Sequence, residues 1–239
     1  MKKCIAVIVC VWSSLAFAND PRPILVVVGM KMEADLINIP NAVVVVSAGD
    51  VNLLLQRLKP YSAANVRAVI SFGVAGGLDP SLRPGQLLLA KKVTDGEWDW
   101  RTSKCLRTIL KAKLKTITPL EAREAGIDTL SAVDPASRAE LRSQTGAASV
   151  DNESQIAARF AGAENLPFAV VRAVSDPASY TFPPAAMLPL LPDGTPDMTA
   201  IQASIQKDPS QIQALIDLNN DNQAALATLK QAVPVMSEL

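Results

Sequence analysis

Apolar residues along this chain occur in two spacings, and the alternation between them outlines its elements. After Pro21 and Pro23, Ile24 to Val28 is a continuous β-branched run closed by Gly29, which predicts a strand buried on both faces. Ala42 to Val46 repeats that run. Beyond the turn Ser47-Ala48-Gly49-Asp50, the residues Val51, Leu54, Leu55 and Leu58 fall at helical spacing, with Pro60 as the stop. A third strand, Ala68 to Phe72, leads into Gly73-Val74-Ala75-Gly76-Gly77, and a fourth, Gln86 to Ala90, follows the turn Arg83-Pro84-Gly85. From Trp98 to Lys115, the positions of Leu106, Ile109, Leu110 and Leu114 predict a surface helix whose lysines and arginines form a solvated face. Ile127 to Ala132 reads as a strand. Pro135 to Thr145 reads as a helix entered through Asp134, with proline at its first position.

The pattern continues with a strand over Ala147 to Val150, a helix ending at Ala163, and a strand from Phe168 to Val174 that stops at Ser175-Asp176-Pro177. Strands alternating with helices predict an α/β fold, a single three-layer domain with a mostly parallel mixed central sheet and helices on both faces. A chain of 239 residues can fold as one such domain. Pro177 to Pro196 is too rich in proline for a regular helix, and interleaves Tyr180, Phe182, Met187, Leu188, Leu190 and Leu191. It is either a cover packed on the body or a lid facing a substrate. Helices over Met198 to Gln206 and Ser210 to Leu229 complete the chain, so 177–239 forms a cover with C-terminal helices on a domain spanning 19–239.

Composition narrows the chemistry. The 23 basic and 23 acidic residues balance, so no net field recommends nucleic acid as a partner. Histidine is absent, which removes the commonest general base and the commonest neutral metal ligand; no metal or cofactor is expected. Proton transfer then falls to Asp, Glu, Lys, Tyr or Cys. The start, MKKCIAVIVCVWSSLAFAND, joins two lysines, a short apolar run and the triplet Ala16-Phe17-Ala18, the pattern of a secretory signal over 1–18. Its loss would remove Cys4 and Cys10, leaving only Cys105 and no internal disulfide. An uncleaved anchor, or a start codon placed upstream of a cytoplasmic chain, gives the same residues. The signal implies a periplasmic or exported protein, the last alternative a cytoplasmic one.

Ligands of α/β sheets gather beyond the carboxyl ends of strands, and the chemically informative residues fall there. Glu33 follows the first strand, Gly73 to Gly77 the third, and Asp176 the last. The stretch Ser149-Val150-Asp151-Asn152-Glu153-Ser154-Gln155 places two acids around an amide at a strand-to-helix turn. Asp151 suits a helix cap, while Glu153 suits either the first helical turn or a ligand.

The blocks "ILVVVGMKMEADLI", "VISFGVAGGLDPSLRPGQLLLAKKV" and "SVDNESQIAARFAGAENLPFAVVRAVSDPA" resemble, in order, those of the nucleoside phosphorylase/nucleosidase superfamily in its methylthioadenosine/S-adenosylhomocysteine nucleosidase branch. The tail "DPASYTFPPAAMLPLLPDGTP" is similar to that of hopanoid-associated members, the adenosylhopane nucleosidases. The resemblance implies that Glu33 positions and deprotonates the attacking water, that Glu153 grips the ribose hydroxyls, and that Asp176, supported by Ser175, protonates purine N7. It implies that Gly76 and Gly77 let backbone approach the ligand. Ser131 to Asp134 falls where the family's purine-stacking loop lies, without its aromatic residue. Asn152 stands where the family has methionine, and Val74 where it has a small polar residue, which suits a hydrocarbon 5′ substituent.

Cleaving an N-ribosyl bond builds positive charge on the sugar and negative charge on the base, so carboxylates near the ribose and a protonated acid near the base both assist. Asp176 is therefore expected in an apolar setting that keeps it neutral, and Glu33 in a wetter or more hydrogen-bonded one. The first loop, Gly29 to Glu33, and the third lack the family's phosphate-binding arginine, which favours water as nucleophile, with Lys31 as the one reservation. The implied function is hydrolysis of a 5′-substituted adenosine, adenosylhopane foremost. Alternatives are methylthioadenosine or S-adenosylhomocysteine cleavage, purine nucleoside phosphorolysis, and an exported nucleoside-binding protein without turnover, for which Asn152 and the signal argue. The partner is a small nucleoside, lipid-linked in the hopanoid case and so near a membrane surface, and the family forms homodimers.

Overall fold

A computed structural model of the protein describes residues 20–114, 117–237 and 239. The expected signal over 1–18 lies outside the described residues. The chain builds strands β1 (Ile24–Val28), β2 (Ala42–Val46), β3 (Ala68–Gly77), β4 (Leu87–Thr94), β5 (Asp99–Arg101), β6 (Leu120–Gly126), β7 (Ser149–Asp151) and β8 (Phe168–Asp176). Its helices are α1 (Lys31–Ala34), α2 (Val51–Leu58), α3 (Lys104–Lys113), α4 (Pro135–Thr145), α5 (Ser154–Ala163), α6 (Met198–Lys207) and α7 (Ile212–Met236).

The β-branched runs behave as their sequence requires. Along β1, Ile24, Val26 and Val28 join one core with Leu106 and Leu110 of α3 and Ala225 and Leu229 of α7. The intervening Leu25 and Val27 join a second core with Leu54 and Leu58 of α2 and Ile156 and Ala161 of α5. Alternate side chains leave a strand on opposite faces, so this division places one helical layer on each side of the sheet. The result is a single mixed α/β domain with a central sheet flanked by helices.

The sheet also curls back on itself. Its path runs β2-β1-β3-β7-β6-β4-β5, while β8 pairs in parallel with β3 and antiparallel with β4. Strands β3, β8, β4, β6 and β7 therefore close a ring. Register shifts at Ala75/Gly76 in β3 and at Ala90/Lys92 in β4 mark the irregularities at which these long strands bend. The far end of β3 is thereby free to pair Gly76 and Gly77 with Val150 and Ser149 of β7.

Several elements differ from the sequence pattern. The strand expected over 127–132 lies instead at Leu120–Gly126, where β4 and β7 both supply partners for its backbone. That segment, LEAREAG, carries no strand signature; tertiary pairing overrides its local preference. The helix expected from Trp98 begins only at Lys104, because Asp99–Arg101 pairs with β4 and Ser103 accepts the helix-starting N–H of Leu106. Both β3 and β4 extend well past their apolar runs. The Pro-rich segment carries a short 3-10 turn at Pro184–Met187 and bonds to the body at Phe182 N–H to Val133 C=O, 2.8 Å. Among the described residues no helix is long and apolar enough to cross a membrane.

Candidate active site

The chain leaves β1 at Gly29 and turns at once into α1, which swings Glu33 back over the strand end. Its Oε2 accepts the N–H groups of Gly29 (2.7 Å) and Met30 (2.8 Å), and its Oε1 accepts that of Val74 on β3 (2.7 Å). The segment expected as a loop is thus a short helix, and the carboxylate is 1% exposed. Glu33 is indeed richly hydrogen-bonded, but its setting is dry, not wetter. Burial pushes its pKa above the ordinary carboxylate range, against the opposing pull of Arg172 and the three backbone donors. A carboxylate moved in that direction is a stronger base than a solvated one.

Arg172, in the middle of β8, is the cation on which this region turns. It is fully buried; Nε lies 2.9 Å from Asp151 Oδ2, and Nη2 lies 3.3 Å from Glu153 Oε2 and donates to Ser71 Oγ at 2.7 Å. Nη1 donates to the carbonyl of Val74 at 3.3 Å. Gly73 sits beside it with φ +152°, and a Cβ there would meet Glu33 Oε1 at 2.4 Å and Arg172 Nη1 at 2.6 Å. No residue with a side chain fits that position without moving the acid or the guanidinium.

The two acids of the opening turn have separate tasks. Asp151 accepts the N–H groups of Glu153 (2.8 Å) and Ser154 (2.6 Å), so it braces the turn into α5, whose N-cap position is Glu153, as well as pairing with Arg172. Glu153 accepts Ser47 Oγ at 2.8 Å, and burial raises its pKa to about 7, with Arg172 opposing and Asp151 and Glu33 reinforcing the rise. A fourth buried acid, Glu124 on β6, accepts Ser149 Oγ, and burial and the neighbouring Asp151 drive its pKa well upward. One guanidinium therefore faces four acids. Asn152 donates its amide to the carbonyl of Ile127 at 3.2 Å, so it ties this turn to the end of β6.

Asp176 lies at the far end of β8, where the expected apolar setting is absent. Arg138 of α4, 1% exposed, brings Nη2 to 2.5 Å from Asp176 Oδ2, and Ser175 Oγ donates to Oδ1 at 2.6 Å. An apolar strand end cannot hold a carboxyl group without partners, and here the partner is a cation supplied by a distant helix. Gly76 is bare for the same reason: a Cβ would stand 3.0 Å from Asp176 Oδ2. Gly77 likewise makes room for the backbone of Asp176 and Ala178. Both glycines thus leave room for the acid and for the backbone that follows it. Val74 contributes through its backbone N–H and carbonyl, while its half-buried side chain packs on the core.

Glu33, Asp151, Glu153 and Val74 are brought together around Arg172, and Asp176, Ser175, Gly76 and Gly77 around Arg138. Both groups abut β3, one at Gly73 and the other at Gly76, three residue steps or about 10 Å of strand apart. Sequence reasoning passed over both arginines, together with Ser47, Ser71 and Gly73. Arg172 had a signal, a lone charge inside the apolar strand FAVVRAV, since a charge buried there needs paired acids. Arg138 had none, because PASRAELRSQT reads as an exposed helix.

The family model for the phosphorylase superfamily matches residues 52–187, over half of the chain, and the chain belongs to that superfamily. No curated protein sequence matches it. Among solved structures, the fold is similar to 5′-methylthioadenosine/S-adenosyl homocysteine nucleosidase of Helicobacter pylori, at 17% identity and TM-score 0.67 over 92% of this chain and 100% of that one. It is similar to futalosine hydrolase of the same organism, at 19% identity and TM-score 0.61 over 90% and 98%. The Neisseria meningitidis 5′-methylthioadenosine/S-adenosylhomocysteine nucleosidase, in complex with methylthio-immucillin-A, is similar at 14% identity and TM-score 0.63 over 91% and 100%. At these identities the likeness is one of fold.

Proposed function

We propose that the protein is a nucleosidase that hydrolyses the N-ribosyl bond of a 5′-substituted adenosine and releases adenine. The observation that carries hydrolysis over phosphorolysis is the position of Glu33. Phosphate as nucleophile needs a cluster of donors at the strand ends. Here the N–H groups of Gly29, Met30 and Val74 are already occupied by the carboxylate of Glu33, with Arg172 behind it. A built-in anion repels an incoming one and leaves room for water.

In the reaction, the C1′–N9 bond breaks and its electron pair passes to the base, while a water oxygen bonds to C1′. Glu33 takes a proton from that water, and Asp176 gives one to N7 of the departing purine. Exchange with solvent then restores both acids. Glu153, hydrogen-bonded by Ser47 and contacted by Arg172, faces the ribose hydroxyls.

For the 5′ substituent we favour a hydrocarbon, as in adenosylhopane. An apolar groove of about 310 Å³ lies between α6 and α7, lined by Ile205, Ile212, Leu215, Ile216 and Asn219. Leu215 shares a face of α7 with Asn222, whose amide contacts the sulfur of Met32 beside Glu33 (3.2 Å). The groove lies about two helical turns along α7 from that contact, and its apolar lining agrees with an apolar substituent.

Adenine release from methylthioadenosine and from an adenosyl-hydrocarbon, each with and without phosphate, tests this. Phosphate-independent release from both, faster from the hydrocarbon, is expected. Phosphate dependence rejects hydrolysis, and tight nucleoside binding without adenine release rejects enzymatic function. Asp176→Asn should lower the rate by about 10²- to 10⁴-fold while nucleoside still binds; unchanged turnover would remove Asp176 from proton donation.

A further inference from the structure

Arg138 is a buried cation to which the mechanism above gives no task. Arg138 is enclosed although the rest of α4, Thr145 apart, faces outward or lies half-buried. Its Nε donates to the carbonyl of Ala132 (3.1 Å) and its Nη1 to that of Pro177 (2.9 Å), with Gly77 (3.3 Å) and Asp176 (3.4 Å) carbonyls close by. Its guanidinium carbon lies 5.2 Å from the ring centroid of Phe182. Desolvating a guanidinium is costly, and a hydrophobic side chain could fill the same volume. What the charge and the planar fork add is a fixed relation between the end of β3, the end of β8 and the Pro-rich segment.

Asp176 is the residue that this relation holds. Ser175 Oγ donates to Oδ1, and Arg138 Nη2 lies 2.5 Å from Oδ2, so each carboxyl oxygen has its own fixed partner. The pair fixes the plane of the carboxyl group; because a cation favours the charged carboxylate, what Arg138 gives Asp176 is placement and not the proton itself. Tyr180 and Asp221 also lie within electrostatic reach of Asp176. Neither replaces the guanidinium: Tyr180 gives its hydroxyl hydrogen bond to the carbonyl of Ala214, and Asp221 carries the same charge as Asp176.

We propose that Arg138 is a positioning residue for departure of the base: it clamps Asp176 against β3 and makes proton delivery depend on the seating of the segment around Pro177 and Phe182. The inference rests on the reading that Asp176 hands a proton to the leaving purine. Loss of the clamp should then impair release of a base that requires a proton, and spare release of a group that leaves as a stable anion.

The test uses the full chain with Arg138→Met and Arg138→Lys, assayed on methylthioadenosine and on 4-nitrophenyl riboside, whose nitrophenolate leaves without protonation. In R138M, kcat for adenine release should fall about 10²-fold with KM changed less than about threefold, because the lost interaction acts in the transition state. R138K, which keeps the charge, should recover at least about tenfold of that loss, and nitrophenolate release should stay within about threefold of the wild type. The inference is overturned if the loss appears in KM, if the two variants lose equally, or if nitrophenolate release falls in parallel with adenine release. Should R138M not fold, the ratio of the two releases in R138K decides, and an unchanged ratio overturns the clamp. A wild-type protein that releases no base rejects the proposed function, and this inference with it; an active wild type with undiscriminating variants rejects this inference alone.

Discussion

Replacing Gly73 with alanine tests the centre of the site through a single carbon atom. The new Cβ would stand 2.4 Å from Glu33 Oε1, 2.6 Å from Arg172 Nη1 and 2.7 Å from Glu33 Cδ, at a backbone φ of +152°. To restore ordinary contact, Glu33 must retreat by about 1 Å, which stretches its hydrogen bonds from 2.7–2.8 Å beyond useful length. Hydrogen bonds to a charged group contribute about 1.5–3 kcal/mol each, and the strained backbone adds about 1–3 kcal/mol. Relaxation returns part of this, so a loss of about 3–5 kcal/mol in unfolding free energy is expected. Adenine release should fall by at least about 10²-fold, since a displacement of this size removes the base from its water. Urea unfolding followed by far-UV circular dichroism, together with adenine release under saturating nucleoside, measures both. Stability within about 1 kcal/mol of wild type, joined to an unchanged rate, would show that the packing of Glu33 on Gly73 and Arg172 has been misread.

Two further outcomes concern the charges of this region. Arg172→Met leaves Asp151 and Glu153 without their cation, so it should cost about 3–5 kcal/mol in urea unfolding at neutral pH, and less at pH 5, where Glu153 is protonated; equal losses at both pH values would contradict this. Glu153 has its pKa raised to about 7 in the fold from an ordinary 4.5, so the native state binds more protons than the unfolded chain between those values. Its contribution is complete below about pH 4.5 and is lost as pH rises through about 7, a change of up to about 3 kcal/mol. Glu153→Gln should flatten that decline in a melting-temperature profile across pH 5 to 8, and a slope identical to wild type would assign it to another group.

What the sequence could disclose follows from how local each feature is. The runs Ile24–Val28 and Ala42–Val46 became β1 and β2 at the same bounds, because a β-branched run between turn residues has few other stable conformations. Asp134 and Pro135 start α4 as read, since a cap acts within one turn. Glu33, Glu153 and Asp176 could be picked out from motif and strand end together, and the phosphorylase superfamily was legible in those same blocks. LEAREAG was not legible as a strand, because β4 and β7 provide its pairing from outside.

The state of each acid was also beyond the sequence. Whether a carboxyl group is neutral, paired or poised as a base depends on the charges and donors within a few ångströms, and in this fold they come from distant parts of the chain. Sequence by itself determined the alternation of elements, the absence of histidine and the acids available for chemistry. Tertiary structure decided that the sheet curls into a ring, that Arg172 is shared among four buried acids, and that Arg138 of α4 meets Asp176 of β8. The physical reason is range: strand and cap signals act over a few residues, whereas burial and charge pairing are settled only when separate strands and helices converge.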